Sequence, residues 1–312
     1  MEVYMLYKTE TSHSDLNNMK QNAVQKDQAE RLRLIMAEKS SQVQQLDRRT
    51  RIITISSGKG GVGKTNIAIN LAIAFAEIGK KVVVMDADLG LANVNVILGI
   101  IPKYNLYHVI KKQKTIRDII VDTQYGIQII AGASGFSQLA NLSVEERDAF
   151  VEGLKELAYA DIIIIDTGAG VSQNVLSFLR AADDAIIVTT PEPTAITDAY
   201  GIIKSISTEM NGPNIKLVVN RVHSVMEGKK VAERVITIAG QFLSIKVNNL
   251  GFIFEDTAVQ RAVIKQDPFI KSAPHSKASL SIKHLMSRIA NIEYKDQGGF
   301  GRFLRSMFVN RI

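Results

Sequence analysis

Ser57-Gly58-Lys59-Gly60-Gly61-Val62-Gly63-Lys64-Thr65 follows the apolar run Ile52-Ile53-Thr54-Ile55 and precedes the helical run Ile67-Ala68-Ile69-Asn70-Leu71-Ala72-Ile73-Ala74. The spacing Gly-x-x-x-x-Gly-Lys-Thr, from Gly58 to Thr65, therefore falls in the strand–loop–helix setting that a phosphate-binding loop requires. Glycines let backbone N–H groups converge on phosphate oxygens, because they tolerate the torsions and leave room for close approach. The helix N-terminus adds partial positive charge. In this pattern Lys64 reaches the β- and γ-phosphates and the Thr65 hydroxyl ligates Mg²⁺. The candidate cradle is Gly58, Lys59, Gly60, Gly61, Val62, Gly63, Lys64, Thr65 and Asn66.

Outward from this loop, β-type runs alternate with helical ones. Strands are expected at 52–56, 82–86, 127–131, 161–165, 185–190, 215–219 and 250–254, and helices at 67–79, 143–157, 194–209, 228–242 and 278–291. Runs such as Ile162-Ile163-Ile164-Ile165 are apolar without alternation. Strands of that kind are buried on both faces, which implies an α/β fold, a mostly parallel sheet flanked by helices. Ligands gather at the C-terminal ends of such strands. Two carboxylates end the run Val82-Val83-Val84-Met85-Asp86-Ala87-Asp88, and a third follows Ile165 in Asp166-Thr167-Gly168-Ala169-Gly170. Asp86 is expected to orient Thr65 or a metal-bound water, Asp88 to position an attacking water, and Asp166 to hold the Mg²⁺ shell.

Composition narrows the classes. The 312 residues are 46% hydrophobic, which suits a domain with a sizeable core. There are no cysteines, so disulfides, thiolate nucleophiles and cysteine-held iron–sulfur clusters are excluded. No apolar run reaches the ~18 residues of a membrane span, and no secretion signal is visible at the N-terminus. The histidines show no metal-ligand spacing. Residues 51–264 carry 21 basic and 21 acidic side chains, whereas 265–312 carry 9 and 3. The excess positive charge thus sits at the C-terminal end, where nucleic acid or an anionic membrane is the possible partner.

The early lysine in Lys59-Gly60-Gly61-Val62-Gly63-Lys64-Thr65 resembles the deviant Walker A motif of the MinD/ParA ATPases. Asp86-Ala87-Asp88-Leu89-Gly90-Leu91-Ala92-Asn93 resembles their switch I, and Asp166-Thr167-Gly168-Ala169-Gly170 their Walker B strand running into switch II. Gly168 stands where many relatives have proline. The resemblance implies a MinD/SIMIBI-like P-loop NTPase fold over about 51–291, with ATP, ADP and Mg²⁺ as ligands. It implies a homodimer when ATP is bound, in which Lys59 crosses to the partner's phosphates, so that Lys59, Lys64 and Asp88 serve catalysis. It further implies an adenine contact at Asn220, beside Arg221, and a place for Glu192 near the dimer interface, against the partner's Lys59 or a ribose.

Both tails carry signals. Residues 1–26 read as a disordered extension and 27–46 as a helix. Asp27-Gln28-Ala29-Glu30-Arg31-Leu32-Arg33 resembles the N-terminal motif of the flagellar number regulators, the FlhG (FleN, YlxH) branch. There the helix docks on an FlhF-type GTPase, and Gln28 would act as the GTPase-activating residue. Flagellar switch proteins are further possible partners. In 298–312, Phe300, Phe303, Leu304, Met307 and Phe308 fall on one helical stripe, with Arg302, Arg305 and Arg311 off its centre. That pattern suits a reversible interfacial helix on an anionic membrane, as MinD-like proteins use. Its phenylalanines argue against DNA, so no nucleic acid partner is expected. The implied protein is cytoplasmic, bound peripherally and reversibly at the inner face of the cell membrane. A ParA-type DNA-binding ATPase and an ATP-holding scaffold with little hydrolysis remain as alternatives.

Overall fold

The computed structural model describes residues 50–88, 93–132, 152–207 and 213–292. Gln28 and the tail stripe from Phe300 to Phe308 lie outside them. The elements are β1 (Arg51–Ser57), α1 (Lys64–Glu77), β2 (Val82–Ala87), α2 (Val94–Ile97), α3 (Leu106–Ile110), α4 (Ile116–Ile119), β3 (Ile120–Asp122) and β4 (Gln128–Ile130). They continue with β5 (Ile162–Ala169), α5 (Gln173–Ala181), β6 (Asp184–Thr189), α6 (Pro193–Ile206), β7 (Asn214–Val222) and α7 (Val225–Leu243). The last are β8 (Asn248–Phe254), α8 (Thr257–Lys265), α9 (Phe269–Ser272) and α10 (Lys277–Ala290).

The eight strands form one sheet in the order β3-β4-β2-β5-β1-β6-β7-β8. Every pairing is parallel except β3 with β4, at the edge. Burial explains the apolar runs. Successive strand residues point to opposite faces, and here both faces are covered. Ile162 and Ile164 join Ile53, Ile55, Val82 and Val84 under α1 and α10. On the other side, Ile163 and Ile165 pack with Val83, Met85, Leu106 and Ile116. Ala185, Ile187, Leu217 and Val219 face α5, α6 and α7.

All seven expected strands form. The helix after the phosphate loop starts at Lys64, three residues earlier than its apolar face suggested, because the loop residues themselves enter the first turn. Seven described elements were not anticipated: the edge strand β3 and the helices α2, α3, α4, α5, α8 and α9. Of the helix expected over 143–157, residues 143–151 lie outside the described residues, and the described end closes in a 3-10 turn at Lys155–Leu157. Among the described residues, no helix is long and apolar enough to cross a membrane.

Candidate functional site

The parallel order puts the C-terminal ends of β2, β5 and β1 side by side. Asp86 and Asp166 are in register on adjacent strands, and Ile55 is in register with Asp166 on the other side. The loop after β1 then turns over these ends into α1. Its glycines are needed individually. Gly61 and Gly63 have φ of 76° and 99°, left-handed conformations that side chains disfavour. A Cβ on Gly63 would stand 2.5 Å from Asn220 Nδ2, and one on Gly58 would collide with the Asp198 backbone in α6.

The two loop lysines go different ways. Lys64 is buried, and its ammonium donates to Ser57 Oγ at 2.9 Å. Burial pushes its pKa below the usual lysine range, while Asp166 and Asp88 pull it back. Lys59 instead reaches the first residues of α6, donating to Glu192 Oε2 at 2.6 Å and Thr194 Oγ1 at 3.2 Å. Its side chain stays 42% exposed. The lysine hydrogen bond and charge hold the Glu192 carboxyl below its usual range. The Glu192–Lys59 pairing expected across two chains is made here within one.

The three strand-end carboxylates are not equivalent. Asp166 is fully buried, and burial raises its pKa to about 7. The Thr65 hydroxyl tempers that rise, yet neither carboxylate oxygen meets a hydrogen-bond partner of ordinary geometry. A buried carboxylate left this way wants a cation, and Thr65 beside it supplies a hydroxyl ligand. The pair fits Mg²⁺ brought with nucleotide phosphates. Among the described residues there is no cluster of three acidic or histidine side chains that could hold a metal alone.

Asp86 differs from its expected role. Its Oδ1 accepts from the Asp88 amide at 3.0 Å, and its Oδ2 from the amides of Asn93 and Val94 at 2.9 and 3.2 Å. It therefore ties down the segment entering α2 rather than turning to Thr65, because unpaired amides at a helix start draw the nearest carboxylate. Burial still raises its pKa to about 6. Asp88 is half-buried and accepts from Asn93 Nδ2 at 3.3 Å. A Cβ on Gly168 would stand 3.2 Å from Asp88 Oδ1, so switch II passes directly over this carboxylate.

A cavity of about 130 Å³ opens beside the loop, lined by Gly63, Asn66, Asn220, Arg221, Asp256 and Gln260 among others. Asn220 Nδ2 donates to Val62 O at 2.7 Å, which ties the end of β7 to the phosphate loop. Arg221, at φ 60°, lies 3.9 Å from Glu255. The wall from Ile253 to Gln260 was not found from sequence. Asp256 carries a legible signal, since it caps α8 through the Ala258 amide at 2.9 Å. A cap does not reveal a pocket, however.

Residues 53–269 match the family described as the CobQ/CobB/MinD/ParA nucleotide binding domain. The antiactivator FleN of Pseudomonas aeruginosa is 36% identical over 77% of this chain and 86% of its own length. The flagellum site-determining protein YlxH of Helicobacter pylori is 40% identical over 76% and 80%. Among solved structures, the septum site-determining protein MinD of Pyrococcus horikoshii, complexed with Mg-ADP, superposes with a TM-score of 0.64 at 28% identity. That match covers 77% of this chain and 96% of the other. The chain belongs to the CobQ/CobB/MinD/ParA nucleotide-binding family, as a P-loop ATPase of its flagellar FleN/YlxH branch.

Proposed function

We propose that this ATPase is a dimerising switch in the control of flagellar number or placement. The observation that carries the reading is Lys59. A lysine that served its own phosphates would fold into the cradle beside Lys64. This one lies on the rim, exposed and held by Glu192 and Thr194, where an exchange of partners costs little in solvent. In the dimer Lys59 leaves Glu192 and neutralises charge developing on the phosphoryl oxygens of the facing protomer.

Within each protomer the loop amides and Lys64 hold the phosphates, Asn220 and Arg221 receive the adenine, and Asp88 orients the attacking water. Thr65 and Asp166 would hold Mg²⁺, which would supply charge neutralisation on the phosphates. Hydrolysis to ADP and phosphate removes the γ-phosphate from beside Gly168, and the segments carrying Asp88 and Gly168 relax together. The tail at 298–312 then leaves the membrane, since a single short interfacial helix binds weakly and two bind through effective concentration. The segment 27–46, with Gln28, stimulates an FlhF-type GTPase. The kinship with FleN and YlxH supports the flagellar setting.

The test is ATP turnover per subunit against protein concentration with Mg²⁺. A rate that rises through the dimerisation range is expected, and a flat rate overturns the dimer-completed site.

A further inference from the structure

We propose that the segment from Lys103 to Arg117, at the β3–β4 edge of the sheet, is a docking surface for an acidic peptide segment of a partner protein carrying an apolar anchor residue. From Leu89 to Arg117 the chain contains no aspartate or glutamate, yet it carries Lys103, Lys111, Lys112, Lys114 and Arg117. The rest of the ATPase domain compensates this charge, so the asymmetry is local.

The lysines are held in place before any ligand arrives. The ammoniums of Lys103 and Lys114 lie 5.3 and 4.4 Å from the centre of the Tyr104 ring, and that of Lys111 lies 5.7 Å from Tyr107. Their backbone is closed by turn hydrogen bonds after α3: Lys111 to Tyr107 O at 2.9 Å, Lys112 to Val109 O at 2.9 Å and Gln113 to His108 O at 2.8 Å. Thr115 and Asp118 cap α4 reciprocally, so the one carboxylate at the end of the run is already engaged. Arg117 pairs with Glu156 at 2.9 Å. Lys114 lies near enough to Asp118 to help hold its carboxyl below the usual range, and no ion pair among the described residues engages Lys103, Lys111 or Lys112.

Beside these cations lies an open groove of about 560 Å³, lined by Val109, Ile110, Ile116, Lys112 and Lys114 and also by Asp118, Glu152 and Glu156, which are engaged by Thr115, Lys155 and Arg117 respectively. Its shape and chemistry choose the occupant. The tyrosine faces are taken by lysines, so they do not offer the free stacking platforms that single-stranded nucleic acid uses. A bilayer is flat and gains little from a concave site. An apolar side chain in the groove, flanked by carboxylates over the lysines, satisfies both features.

The surface is tied to the nucleotide end of the sheet. The Leu106 amide donates to Ala131 O at 3.2 Å, and Gly132 lies against the Asp86 backbone. None of the patch lysines belongs to the nucleotide site, so the basal ATPase serves as a folding control.

The experiment is fluorescence anisotropy with the full chain and a labelled short peptide of glutamate and leucine. Its comparators are a polyglutamate peptide of equal charge, single-stranded DNA and phosphatidylserine vesicles. We expect salt-sensitive binding of the Glu/Leu peptide, about tenfold tighter than polyglutamate. The triple change Lys111→Glu, Lys112→Glu, Lys114→Glu weakens it at least tenfold, and the corresponding Gln triple weakens it less, both with ATPase unchanged. Absence of binding, equal binding of polyglutamate, indifference to the charge reversal, or tighter capture of DNA or vesicles through these same lysines would each overturn the proposal.

Discussion

Asp166 is a fully buried carboxylate whose oxygens meet no hydrogen-bond partner of ordinary geometry, with its pKa raised to about 7 by burial. A buried charge so weakly compensated, by Lys64 and the Thr65 hydroxyl, is a liability of the nucleotide-free protein. Asp166→Asn keeps the shape and removes the charge. Thermal unfolding of the nucleotide-free variant should show a gain of about 1–3 kcal/mol at pH 8, while Mg²⁺-dependent ATP hydrolysis is lost. A variant less stable than the parent would mean that the carboxylate has a partner in the fold. Gly63 makes the opposite point, since Gly63→Ala strains a φ of 99° and pushes on Asn220. A cost of about 1–3 kcal/mol and loss of nucleotide binding are expected, to be measured by chemical denaturation and by titration with a fluorescent nucleotide. At this scale the sequence was legible wherever chemistry demanded a residue type at a fixed spacing. The contacts of Asp86 with the amides of Asn93 and Val94, seven and eight residues downstream, were not legible, because spacing alone gives no sign of them.

Elements were legible in proportion to their apolar content. The isoleucine run of β5 is buried alternately against α1 and against α3 and α4, so it declared itself as a core strand. Ile164→Ala should cost about 2–5 kcal/mol, seen as a lowered denaturant midpoint with an unchanged slope. An effect below 1 kcal/mol would show that the two helical layers close over the cavity. The elements that escaped notice are short or bury little. Helix α8 buries Ala258 and Ala262, and α5 buries Val175, Leu176 and Leu179 in nine residues. Edge strand β3 spans three residues and is half-open to solvent. Such segments are fixed by their neighbours rather than by their own periodicity. Missing α8 mattered for the site, because it walls the cavity beside the phosphate loop.

At the scale of the molecule, the sheet separates two kinds of work. The phosphate loop and both switch segments lie at the C-terminal strand ends. The described chain begins at the other end, where the Arg51 guanidinium pairs with buried Asp184 at 2.6 Å and donates to Ile289 O at 2.6 Å. The start of β1 and the end of α10 therefore lie side by side, at the strand ends opposite the phosphate loop. In the proposed dimer, the exposed Lys59 serves the facing protomer. A mixing experiment decides whether that lysine acts across chains. Lys59→Ala retains its own cradle, Asp88 and Asp166 but lacks the crossing charge. Asp166→Asn has a dead site but an intact Lys59 to lend. Each variant alone should be nearly inactive. If two-fold dimers form at random from an equal mixture, half are mixed and each mixed dimer holds one complete site. Activity should then recover to about a quarter of the parent rate. A mixture as inactive as its components would place Lys59 in its own protomer's chemistry, and the Glu192 contact would then be the resting geometry of a residue acting in cis.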